Sequence, residues 1–251
     1  MKDAKNHREN AKTHFNELHD IVTDQMQGLP CPPLQKPVSE VSKVIDLPKP
    51  DQSFVKNSHI FNCLENRRSR RKYTEESLTQ EKLSLLLWFT NGVQRIFKRG
   101  DDYSVALRTV PSAGARHPLE TYLIINRVAG IESGVYRYLG VEHQLVKEEQ
   151  IICTEDMITE ATMGQSFVAQ APVVFLWVAI PYRTEWRYNG EAAKLILLDA
   201  GHICQNLYIV AEALGLGTCG IAAYDQEKID QALQLDGDDE FVVYLAPVGK
   251  L

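Results

Sequence analysis

Val173-Val174-Phe175-Leu176-Trp177-Val178-Ala179-Ile180 is an uninterrupted apolar run, rich in valine and without polar alternation. A half-buried strand alternates polar and apolar residues, because successive side chains point to opposite faces. A continuous run of this length reads instead as a strand buried on both faces. Working outward, Thr121 to Asn126 and the shorter Val135 to Leu139 also read as strands, and Phe241 to Val248 closes the chain with a last one. Helices lie between them. Thr79 is a plausible N-cap, with Leu83, Leu86, Leu87 and Thr90 at helical spacing and Asn91-Gly92 as the stop. Ile203, Leu207, Val210, Ala211 and Leu214 form a second helix, apolar over much of its circumference and ending at Gly215. Asp225 can cap a third, through Ile229 and Leu233. Strands and helices do not alternate regularly, so the expected fold is of α+β type, a sheet with helices on both faces.

Composition narrows the function. The 251-residue chain carries a net charge of −6, against the basic surplus that general nucleic-acid binders need. Its longest apolar run is far short of a membrane span, which needs about 20 residues. The five cysteines, Cys31, Cys63, Cys153, Cys204 and Cys219, are scattered and form no CxxC pair. Neither a disulfide framework nor a zinc site is expected, no metal is assigned, and a reducing cytoplasm fits. The N-terminus has no apolar signal segment.

Residues 1 to about 26 are polar with a weak helical pattern. Prolines 30, 32, 33, 37, 48 and 50 then forbid regular helix. The expected organisation is an N-terminal helix and proline-rich extended arm over 1–57, lying on a surface or serving as a linker, and a folded domain over 58–251.

Four segments could carry chemistry. Arg67-Arg68-Ser69-Arg70-Arg71-Lys72 concentrates cations around one hydroxyl. Guanidinium forks pair bidentately with phosphate oxygens, so a phosphate-bearing ligand is one reading; a solvated basic face or a nucleic-acid patch are the others. Pro111-Ser112-Ala113-Gly114-Ala115-Arg116-His117-Pro118 sets small residues between prolines, where backbone can approach a ligand, or simply forms a loop. Gly215-Leu216-Gly217-Thr218-Cys219-Gly220-Ile221-Ala222-Ala223 offers bare amides to a planar ring, or only a helix cap and a turn. It lacks the strand context of a dinucleotide fingerprint. Glu185-Trp186-Arg187-Tyr188 with Asp199-Ala200-Gly201-His202 contains acid/base side chains, although His202, read as standing at the start of a buried helix, has a structural role as its simpler reading.

In their order and spacing these blocks, with Leu47-Pro48-Lys49-Pro50, Leu83-Ser84-Leu85-Leu86-Leu87-Trp88, Gly134-Val135-Tyr136-Arg137-Tyr138, Leu198-Asp199-Ala200-Gly201-His202, Gln205-Asn206-Leu207, Ala211-Glu212-Ala213-Leu214-Gly215-Leu216-Gly217 and Val248-Gly249, resemble the nitroreductase superfamily and its SagB-type dehydrogenase branch. The resemblance implies a central, mainly antiparallel sheet flanked by helices, a homodimer, and FMN in a cleft between the subunits. It implies that Arg67, Arg68, Ser69 and Arg71 hold the phosphate and the ribityl-pyrimidine edge. Pro111, Ser112, Ala113 and Gly114 would lie along the flavin, and Ala222 and Ala223 would offer amides near its N5–O4 edge. Relatives place a further cation near the C-terminus, for which Lys250 is the candidate. The branch includes enzymes that oxidise peptide azolines to azoles with the help of a Lys-Tyr pair; Arg187-Tyr188 stands at the matching position, and arginine does not act as a base. Tyr188 with Arg187 is therefore the expected catalytic pair. The expected activity is hydride transfer at flavin N5, to or from a small organic or peptide-heterocycle substrate. An NAD(P)H-dependent nitro or quinone reductase and a non-catalytic flavin-binding subunit are the alternatives.

Overall fold

The computed structural model describes residues 11–15, 21–39, 42–99 and 103–251. Among these, seven strands form one sheet. They are β1 (Val44–Asp46), β4 (Leu119–Ile125), β5 (Gly134–Leu139), β6 (Gln144–Lys147), β7 (Val173–Ala179), β8 (Leu216–Thr218) and β9 (Phe241–Lys250). Their spatial order is β1-β6-β5-β4-β7-β9-β8, and every neighbouring pair is antiparallel. The opening apolar run is β7, a central strand paired with β4 from Leu119↔Ala179 to Ile125↔Val173 and with β9 from Val173↔Val248 onward.

All seven β7 residues are buried because helices cover both sheet faces. Val173, Phe175, Trp177 and Ala179 point to one side, against α2 (Gln80–Asn91) and α6 (Ala192–Ala213). Val174, Leu176 and Val178 point to the other, against α3 (Glu155–Ala161), α4 (Ser166–Ala169) and α7 (Gln226–Ala232). A polar residue anywhere in the strand would enter one of these two cores. Each large side chain there contributes roughly 1.5–3 kcal/mol of burial. The capping expectations hold: Thr79 accepts from the Lys82 amide, Asp225 from the Lys228 amide, and Gly92 and Leu214 close their helices.

Two features depart from the sequence reading. Helix α6 starts at Ala192, ten residues before the point read as its start, so His202 is an exposed mid-helix residue. A separate hairpin, β2 (Val93–Arg99) with β3 (Tyr103–Arg108), follows α2. The helical pattern expected before residue 26 falls largely outside the described residues; the described parts contain no α-helix. The arm is held by hydrogen bonds: Arg108 donates to the Leu34 carbonyl, Arg137 to those of Lys36 and Pro37, and Ser84 to that of Pro48. β1 pairs with β6 at the sheet edge. Two short helices complete the frame, α1 (Ile60–Asn66) and α5 (Tyr182–Tyr188).

Candidate active site

Helix α6 organises two groups of residues. The first lies against its C-terminal half. Chain leaving α1 turns at Arg67 and runs beside β8, where the Arg70 amide donates to the Thr218 carbonyl at 2.9 Å. Ser69 Oγ is 2.9 Å from the Tyr208 hydroxyl, which also accepts from the Gly220 amide at 2.8 Å. The Arg67 guanidinium sits over the Tyr208 ring, 5.3 Å from its centroid. One phenol thus ties the basic segment to the glycine-rich segment after α6. A side chain at Gly220 would meet the Tyr244 hydroxyl at 2.5 Å, so any larger residue there would have to displace that phenol. Ala222 and Ala223 follow, both exposed.

Among the described residues the charge in this group has no carboxylate partner. Among the described residues Arg67, Arg68, Arg70, Arg71 and Lys72 form no ion pair. Arg68 turns back to the carbonyls of Glu65 and Arg67, each at 2.8 Å. Arg70 Nε is buried without an acceptor. The amides of Ala222 and Ala223 also lack protein acceptors among the described residues. Unpaired cations beside a hydroxyl and free amides are the donor set that a phosphate ester with a ring acceptor requires, so these residues fit FMN. Lys250 lies alongside, on β9 opposite Leu216, but its ammonium is bound by Glu76 at 2.7 Å.

The second group lies against the N-terminal half of α6. Asp199, 5% exposed, accepts from the Ala113 amide at 3.3 Å and from the Ser112 hydroxyl. Burial raises its carboxyl above the usual range, and the two hydrogen bonds oppose that. Ser112 in turn accepts from the His117 amide at 2.9 Å. His117 is buried against the Ala106 carbonyl; burial, and then the charge of Arg108, push its imidazole down to about 3. Neutral at ordinary pH, it donates through Nε2 to Ala106. Gly114, Ala115 and His117 all have positive φ, at 57, 53 and 48°. Such strain in non-glycine residues persists only where the surroundings fix it, and that occurs preferentially at functional loops. A side chain at Gly114 would meet the Tyr188 hydroxyl at 2.5 Å and Arg187 Nε at 3.2 Å. The loop and the Arg187-Tyr188 pair are therefore in contact only because residue 114 is glycine. The Arg187 guanidinium lies over the Tyr188 ring at 5.5 Å, and both residues are half-buried.

Thus Arg67, Ser69 and the 220–223 segment come together, and so do Pro111 to Gly114 with Arg187 and Tyr188. Within one chain the two groups face apart. Tyr208 is nine positions after Asp199 in α6. That is about 13 Å along the axis and about half a turn around it. Sequence reasoning missed Tyr208 and Asp199 as organisers. Tyr208 sits in an apolar helical stripe and reads as core, although its hydroxyl needs a partner.

Comparison with known proteins fits this architecture. The nitroreductase family model matches residues 64–250. A nitroreductase-like protein of Methanocaldococcus jannaschii is 34% identical over 209 residues, 82% of this chain and 96% of its own. The trifolitoxin-processing protein TfxB of Rhizobium leguminosarum bv. trifolii is 30% identical over 51% of this chain and 36% of its own. Among solved structures, a nitroreductase-like protein of Ralstonia eutropha superposes with a TM-score of 0.66 at 24% identity, covering 88% of this chain and 98% of that one. The chain belongs to the nitroreductase family and is an oxidoreductase. The resemblance read from the sequence, and the α+β fold with a mainly antiparallel sheet, are borne out. No described helix is long and apolar enough to cross a membrane.

Proposed function

We propose that this protein is an FMN-dependent dehydrogenase of SagB type, in which two copies of the chain complete each site. The observation that carries the reading is the unpaired cation cluster, joined through Tyr208 to free backbone donors on one side of α6. Arg67, Arg68, Ser69 and Arg71 hold the phosphate. Ala222 and Ala223 donate to the ring edge. When bound, FMN supplies reversible two-electron chemistry, accepting or giving hydride at N5.

Arg187, Tyr188 and the Pro111 to Gly114 loop lie on the far side of the same helix, so they serve the site of a second copy. A two-fold pair would bring one group from each chain to a shared crevice. Tyr188 moves the proton that accompanies hydride transfer. Arg187 stays charged and orients an oxygen-bearing substrate. The SagB-type resemblance favours a peptide heterocycle as substrate, and the likeness to a trifolitoxin-processing protein supports a processing role. Arg187, which is no base, favours a second reading: a reductase that takes hydride from NAD(P)H and passes it to a nitroaromatic or quinone.

The test is spectroscopic. Purified protein should be yellow, and the released cofactor should be FMN. Anaerobic addition of NADH separates the two readings, since bleaching of the flavin marks the reductase. Colourless protein that takes up no FMN on titration would remove the proposal. Bound FMN with no turnover towards any acceptor would instead indicate a flavin-carrying subunit.

A further inference from the structure

The family match begins at residue 64, yet the N-terminal segment reaches the residues read above as the reacting pair. Helix α5, which carries Arg187 and Tyr188, has seven residues and no side-chain N-cap. A helix so short is marginal alone and depends on its packing. Its buried face is held by the Arg183–Glu120 ion pair and by Arg116 over Trp186, and the N-terminal segment holds the rest. The Tyr182 hydroxyl donates to Asp24 at 2.8 Å. The Gln25 amide donates to the Trp186 carbonyl at 2.9 Å, and Trp186 Nε1 donates to the Leu29 carbonyl at 3.0 Å.

Earlier in the chain the contact becomes direct. Glu191, just past the end of α5, is 8% exposed. Its carboxylate accepts from the Thr13 hydroxyl at 3.3 Å and from the His14 amide at 3.1 Å. A buried carboxylate without hydrogen bonds is costly, so these two contacts form a clasp. They deliver Phe15 onto Tyr188, with ring centroids 6.0 Å apart and planes at 85°. Phe15 is 39% exposed, so part of its ring remains uncovered. An exposed aromatic surface meeting a half-buried tyrosine at a right angle makes a corner that receives the edge or face of another flat ring.

We infer that Thr13, His14 and Phe15 belong to the substrate site: Glu191 clasps the segment, and Phe15 is the wall against which a planar substrate packs beside Tyr188. The inference rests on the reading of Arg187-Tyr188 as the reacting pair. It makes Phe15 a specificity-determining residue contributed from outside the region that matches the family.

Two measurements test it. In the first, FMN-loaded full-length protein is reduced anaerobically with dithionite and mixed with menadione, a planar quinone, or with ferricyanide, which has no ring. Phe15→Ala should lower the ratio of the menadione rate constant to the ferricyanide one by about 2- to 10-fold, the range an edge-to-face aromatic contact supplies. An unchanged ratio overturns the inference. In the second, amide hydrogen exchange is followed by NMR in cofactor-free protein. Glu191→Ala should speed exchange at His14 about tenfold or more, since the amide loses a charged acceptor. Unchanged exchange means there is no clasp and also overturns the inference. A protein that binds no FMN fails the functional reading instead, and the exchange experiment still reports on the clasp.

Discussion

The two sides of α6 are built on opposite principles. On the Tyr208 side, cations outnumber acceptors, amides stand free, and the contacts converge on one phenol. On the Asp199 side, the loop is held by protein partners. A buried carboxylate holds two loop residues, a neutral imidazole braces them, and the backbone is bent into positive φ. The first arrangement is a surplus of positive charge that a dianionic ligand would neutralise. The second is a rigid surface whose geometry is set before anything binds. Electrostatic capture and pre-set orientation are separate requirements of a flavin site, and on the proposed reading one helix supports both, half a turn apart.

Variants at the two sides should therefore fail differently. Tyr188→Phe removes the proposed proton carrier and leaves the cation cluster intact. Turnover should fall about 10²- to 10⁴-fold while FMN content stays at the wild-type level. Stopped-flow reduction or reoxidation checks this, and unimpaired turnover would strip Tyr188 of its role. Arg68→Ala touches only the other side. It should weaken FMN binding by about 1.5–3 kcal/mol, and so yield paler protein. Fluorescence titration of apoprotein with FMN reads the loss directly.

The smallest effect concerns the loop itself. Its His117 imidazole, depressed to about 3 from an ordinary 6.5, stays neutral in the folded chain while the unfolded chain takes up a proton below 6.5. The unfolded state then binds more protons, so stability is lost as pH falls from 6.5 towards 3. By pH 5 the loss should reach about 1–2 kcal/mol. Thermal melts at pH 7 and pH 5 should show it in wild type and show less of it in His117→Gln.

How much of this was legible beforehand follows from how local each signal is. The β7 run and the apolar positions of α6 were readable because periodicity lies in consecutive residues, and the caps at Thr79 and Asp225 because the cap bond spans three residues. The first ten residues of α6 were missed. They lack a clean apolar stripe, since Leu197 and Leu198 remain exposed although apolar. The hairpin was missed because Val93 to Arg99 places mainly exposed residues without clean alternation. At the site, Arg67, Ser69 and the 111–114 loop could be nominated from residue type. Their grouping could not, because Ser69 meets Tyr208 across 139 positions and Ala113 meets Asp199 across 86. Nothing in the order of residues indicates that Asp199 and Tyr208 look in opposite directions until the helix is known to be continuous between them.

Subunit complementation tests the shared-crevice claim most directly. Arg68→Ala and Tyr188→Phe proteins, each inactive at limiting FMN, are dissociated, mixed in equal amounts and allowed to reassociate. If each site takes its cations from one chain and its tyrosine from the other, half of the dimers are mixed and each of these regains one intact site. Activity should then return to about one quarter of the wild-type value. If both groups of one chain serve the same site, every site in every dimer stays damaged. A mixture no more active than its parents would contradict the account.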